Sequence, residues 1–411
     1  MVSLIKIEWT RLLKNKKNLM ILGLLLALVL LLSFYNKKLN DGIVLRRNNM
    51  YELSVTYSMM ERDAIAREYT DTLEGVDPET FDGIYPEENQ KRQDYWTRDI
   101  TFTNKQWVAF RRDGWLDEAK ATLDKDRNMK EGLEQGLIRE RNSQVRDIRT
   151  LQELDNRIRL NEYLVEHGIV PLKTEYEPMA YPYLFYLLGT VFPLALPLVV
   201  CLVCGDCFAA EVEEGSIKSW MLVPVRRWGI YYAKLAANFL FIFLSLAVVL
   251  GAGFLTAGLF HGFGAADYPV SVFYDVGHLN MAATVPEAAG VTVDYLPVAK
   301  AIWQMLLLDG LFTLFLTVLV VSLGSFIRQA NTATTVLPLL FTAPAMLLLL
   351  AEPGKRSGLV SRIPLCYGYT YDILKAYGRD EVYLIAMAEA VIIALVFIVT
   401  KVAVKRKDWI C

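Results

Sequence analysis

Six apolar runs divide this chain, and the stretches between them differ sharply in character. The first run, 19–35, reads LMILGLLLALVLLLSFY and is just long enough to cross a bilayer. Comparable runs follow at 181–204, 231–260, 301–327, 332–351 and 382–404, each predicting a membrane-spanning helix. Pro193 and Pro197 fall inside the second run, which predicts a kinked helix there. Ahead of the first run, Leu4, Ile5, Trp9, Leu12 and Leu13 lie near one helical face, with Lys6, Arg11, Lys14, Lys16 and Lys17 elsewhere. That pattern predicts an interfacial amphipathic helix over 1–18, basic where it meets headgroups.

Between the first two runs, 36–180 is dense in charge, with aromatic residues interspersed. From Asn104 onward apolar residues such as Trp107, Phe110, Leu116, Leu123, Leu133 and Leu137 recur mostly at threes and fours, a helical period. Gly132 and Gly136 are expected to split this stretch into a helical hairpin, and Asp77-Pro78 and Tyr85-Pro86 mark turns before it. The remaining connections are 205–230, the Gly- and Ala-rich 261–300, the 352–380 loop and the tail 405–411.

Six spans return both termini to one side. Basic residues gather at the N-terminus, at Lys218, Arg226, Arg227 and Lys234, at Arg328 and in Lys405-Arg406-Lys407, so that side is expected to be cytoplasmic. Lys355, Arg356, Arg362, Lys375 and Arg379 run against the rule, and the Pro- and Gly-rich 352–380 loop is expected to dip back toward the membrane. The expected architecture is an all-α membrane protein of the cell membrane. It has six spans, an N-terminal interfacial helix and a mostly helical extracytoplasmic domain.

Composition supports this division and narrows the chemistry. Of 411 residues, 54% are hydrophobic and 21% charged, which fits lipid-facing runs joined to one sizeable water-facing domain. A net charge of −2 gives no basic character to hold nucleic acid. Cys201, Cys204 and Cys207 are spaced as in iron–sulfur sites but lack a fourth cysteine nearby, so a shared packing face is expected. Phosphate-cradling, zinc-protease and serine-hydrolase motifs are absent. His261, Asp267, Asp275 and His278 share a loop without a ligand spacing, and no metal or catalytic site is assigned. Glu213-Glu214 lies in the charged loop, where catalysis within the bilayer has no support. Asp309 and Glu389 are acidic residues inside the fourth and sixth runs. A charge at bilayer depth costs at least ~2.5 kcal/mol, so both are expected to face protein or water, as a polar translocation lining or as interhelical hydrogen bonds.

The segment from Phe208 to Lys234, FAAEVEEGSIKSWMLVPVRRWGIYYAK, is the most informative. Glu214 and Lys218 form an i,i+4 pair that favours a short helix. Ile217, Trp220 and Met221 give that helix an apolar face, and Glu211, Glu214 and Lys218 give it a charged one. Pro224 is expected to stop it, and Arg226-Arg227 to anchor the next span.

These residues resemble a family signature. E-x-x-x-G-S-I-K from Glu211 through Gly215 to Lys218, then Pro224, Arg227 and Lys234, is similar to the segment between spans two and three of type-2 ABC exporter permeases. Ser216 stands where that family commonly has threonine. Residues 161–171, NEYLVEHGIVP, look like the tail of the outer domain in Gram-positive members. The resemblance implies a non-enzymatic permease that dimerises with a second permease chain and binds separate ABC ATPase subunits. Those subunits would carry ATP and magnesium, with no cofactor on this chain. It makes Glu211, Glu214, Gly215, Ile217, Lys218, Trp220, Met221, Pro224 and Arg227 the coupling segment, and leaves the exported cargo open among peptide antibiotics, drugs, lipids and ions. The competing reading is a membrane scaffold or sensor whose outer domain binds a partner.

Overall fold

The structure, a computed structural model, describes residues 2–73, 87–138, 151–174, 176–216, 226–274, 292–350, 360 and 363–406. It divides into two compact units. One comprises Met1–Asn36, Pro178–Ala266 and Val270–Cys411, and the other Lys37–Glu177 with Asp267–Pro269.

In the first unit, α1 (Val2–Lys14) precedes α2 (Lys16–Leu73), whose opening apolar part belongs here. The second apolar run folds as α6 (Ala180–Tyr186), a π turn over Leu187–Val191, and α7 (Phe192–Cys204). Pro193 has no N–H to continue the α ladder, and just before it the Phe192 N–H reaches back five residues to the Leu187 carbonyl. A short α8 (Ala209–Glu213) follows, then α9 (Arg227–His261). Strands β1 (Pro269–Tyr274) and β2 (Thr292–Pro297) pair within the stretch expected to be loop. Three helices complete the unit, α10 (Val298–Gly324), α11 (Ala330–Leu349) and α12 (Thr370–Arg406).

Six of the described helices are long and apolar enough to span a membrane. This is an all-α membrane protein, with one small sheet. The second and fourth apolar helices are the most enclosed, and α10 packs against α7, α9 and α12. The others turn large side chains outward, including Leu24, Leu31, Val248, Leu259, Leu347 and Val399. An apolar surface of that extent is a lipid-facing surface. α12 starts at Thr370, so the end of the loop expected over 352–380 continues the last helix.

The second unit is a helical bundle of the rest of α2 with α3 (Glu87–Arg111), α4 (Trp115–Glu134) and α5 (Leu151–Glu166). Its core joins Ile65, Tyr95, Trp96, Met129, Leu137 and Leu154. The expected hairpin differs in detail. Gly132 stays inside α4, where the lack of a side chain makes room for the Tyr95 ring, the helix stops near Gly136, and a further break falls at Arg112–Gly114. The turn signals at Asp77-Pro78 and Tyr85-Pro86 lie outside the described residues.

Candidate functional site

The signature residues Glu211 and Lys234 meet in a buried ionic cluster. Lys234, on the first turns of α9, is 1% exposed. Its Nζ donates to Glu8 Oε1 at 2.9 Å and to Glu211 Oε1 at 2.7 Å. Arg11 of α1 also pairs with Glu211, so two carboxylates face two cations. The Lys234 ammonium lies 5.3 Å from the centre of the Phe208 ring, which stacks on Tyr231. Helix α1, far away in sequence, is thereby fixed to the stem of the 205–230 connection and to the α9 helix that follows it.

α1 explains how a carboxylate reaches this site. It buries Leu4, Glu8 and Leu12, one residue per turn on a single stripe, while Trp9 meets Phe241 edge-on. Glu8 occupies the middle of that apolar stripe, where Lys234 neutralises it. Amphipathic periodicity missed this residue. The available signal was its position as the single acid within 1–18, spaced four from both Leu4 and Leu12.

Each acid of Glu211-Val-Glu-Glu takes a separate role. Glu211 is fully buried in the cluster. Glu213 accepts the Ala330 N–H at 3.0 Å, capping the N-terminus of α11, where a carboxylate suits the helix dipole. Glu214 is exposed and lines a groove of about 860 Å³ beside Lys6, Arg11 and Lys14. Gly215 has φ 72°, a left-handed conformation that terminates the helix, so the helical periodicity expected from Glu211 to Lys218 is interrupted there. Arg227 begins α9. Ile217, Lys218, Trp220, Met221 and Pro224 lie outside the described residues.

Contacts continue from the cluster into the bundle. The Tyr231 hydroxyl pairs with Ser322 of α10 at 2.8 Å, and Thr400 of α12 donates to the same oxygen at 3.1 Å. Lys17 Nζ holds Asp206 at 2.5 Å beside the stem. α10 also approaches α7 closely, since a β-carbon added at Gly324 would lie 2.5 Å from the Gly205 carbonyl oxygen. Cys201 and Cys204 are buried free thiols in α7.

Asp309 and Glu389, noted separately in the sequence, lie within electrostatic reach of each other on the packed helices α10 and α12. They are 6% and 1% exposed, and none of their four carboxylate oxygens has a hydrogen-bond partner among the described residues. Such oxygens call for a hydrogen-bond donor or a cation.

The fold is that of a polytopic helical membrane protein with an ion-paired stem between its second and third apolar helices. The family described as ABC-2 family transporter protein matches residues 2–354. The chain belongs to that family, as a type-2 ABC permease. No curated protein and no solved structure matches it.

Proposed function

We propose that this permease subunit moves its cargo outward, driven by ATP hydrolysis on separate ABC ATPase subunits that dock at the 205–230 connection. Both termini lie on the cytoplasmic side in this reading, and a second permease chain completes the pathway. The observation that carries it is the Glu8–Lys234–Glu211–Arg11 cluster. It joins the stem of the docking segment to α1 and α9, so force applied to the connection moves whole helices. Glu211 acts through position, as a buried anchor. Gly215, in its left-handed conformation, ends the helix at the entrance to the docking residues. Glu214 and the basic groove along α1 offer the charged surface that partner meets. The unpartnered Asp309–Glu389 pair supplies the polar lining of the path and suits a cargo with a cationic or hydrogen-bond-donating group.

Co-purification of the full chain from its native membrane tests the reading. An ABC ATPase should be retained and its hydrolysis stimulated. Glu214→Lys should lower that stimulation while membrane insertion stays intact. A chain that retains no ATPase supports the scaffold or sensor instead, and full stimulation by Glu214→Lys removes the docking assignment.

A further inference from the structure

Asp309 stands 11 positions after the first residue of the 27-residue α10 and 15 before its last, about 17 and 23 Å from the two ends. Glu389 lies within the apolar part of α12, Val382–Ala403. Both acids are thus at membrane depth. No other charged residue and no histidine occurs in 301–327 or 382–400. The same holds for 180–204, 235–260 and 330–349, on the helices packed against α10 or α12. Nothing on these stretches neutralises a carboxylate.

All four carboxylate oxygens are sealed from solvent, and none has a hydrogen-bond partner among the described residues. A water or a metal ion needs room at those oxygens. Among the described residues no three acid, histidine or cysteine side chains gather to hold a metal. A proton needs no such room. It sits on an oxygen, removes a charge and makes the carboxyl a donor to its neighbour. Two like charges in electrostatic reach, away from water and cations, do not both ionise. Buried hydroxyls lead away from the pair. Thr313 and Thr317 follow Asp309 at four-residue steps, and Ser322 beyond them meets Tyr231 and Thr400.

We propose that the Asp309–Glu389 pair is a proton-binding site, loaded in this sealed arrangement and unloaded when α10 and α12 part during transport. Unloading breaks one carboxyl O–H bond, and the proton passes to water admitted to the path. This deepens the reading of the pair as path lining and rests on it for the unloading step. The loaded pair is poorly matched to a cation, so a cationic group of a cargo binds only after the proton has left.

Infrared spectroscopy of the full chain in detergent tests this through the carbonyl stretch of a protonated carboxyl group. The wild-type chain should show that band at neutral pH. The double variant Asp309→Asn with Glu389→Gln, whose amides keep the shape and bring their own donors, should lack it. Absence of any band that the double variant removes overturns the proposal. In D2O the band should shift slowly at rest. In the complex with its retained ATPase hydrolysing ATP it should shift at least about tenfold faster, because a sealed group exchanges only through opening. Equal rates remove the unloading step. A chain that retains no ATPase removes the docking reading and the unloading step together, while the band at rest still decides the site.

Discussion

Lys234→Met isolates the energetic role of the ionic cluster, because it deletes the ammonium while keeping most of the apolar stem. At contacts of 2.9 and 2.7 Å, an effective dielectric of 20 gives a gross attraction of about 6 kcal/mol per pair. Desolvating three buried charged groups offsets most of this, so the pairs taken whole add little net stability. Removing one partner is different. Glu211 keeps Arg11, but Glu8 loses the one ion pair found for it among the described residues while remaining 3% exposed. Breaking a buried pair this way costs about 3–5 kcal/mol. Equilibrium unfolding in mixed detergent micelles, followed by tryptophan fluorescence, should show a loss of that size. Adding Glu8→Gln should restore part of it, with a coupling of about 1–3 kcal/mol in the double-mutant cycle. A loss below about 1 kcal/mol, or a strictly additive cycle, would refute the account of the cluster as a mutually neutralised unit.

Other outcomes follow from the same structure. Gly324→Ala should lower the unfolding midpoint, at a cost of about 1–3 kcal/mol, because its β-carbon meets the Gly205 backbone and not a movable side chain. Gly251→Ala in α9, where a β-carbon meets nothing within 4 Å, should instead stabilise by about 0.5–1 kcal/mol. In the second unit, burial holds the Asp126 carboxyl above the usual carboxylate range despite Arg157 and Lys125. Its folded value thus exceeds the unfolded one near ~3.9, so its contribution to stability grows as pH falls through the raised value and levels off below ~3.9. Asp126→Asn should flatten the dependence of the unfolding midpoint over that interval, and parallel curves would contradict this. For the transport path, Asp309→Cys in a background without the native cysteines should react with a small charged thiol reagent during ATP turnover. Protection under all conditions would leave the pair a packing role.

Much of this protein was legible along the chain. In a bilayer a helix satisfies its own backbone hydrogen bonds, so apolar length alone announces a span, and the all-α membrane class follows without knowledge of neighbours. Pro193 marked the departure from a regular α ladder in the second run, since a missing N–H is a local fact. The charge-rich, helix-periodic stretch after the first run reads as a bundle for the same reason. The turns within it were harder. Gly132 serves close packing against Tyr95 of another helix and not a turn, and that neighbour is invisible along the chain.

The site was legible in its residues but not in its geometry. Glu211, Gly215 and Lys234 stand out by type and spacing, yet Glu8 joins Lys234 across 226 positions of sequence. Asp309 and Glu389 are conspicuous singly, and only the packing of α10 on α12 makes them a pair. Spans in lipid are all similarly apolar, so hydrophobicity does not choose which faces meet. Close backbone approach, as at Gly324, and the neutralisation of rare buried charges make that choice. Both depend on side chains from several helices arriving at one place, which no single run of sequence encodes.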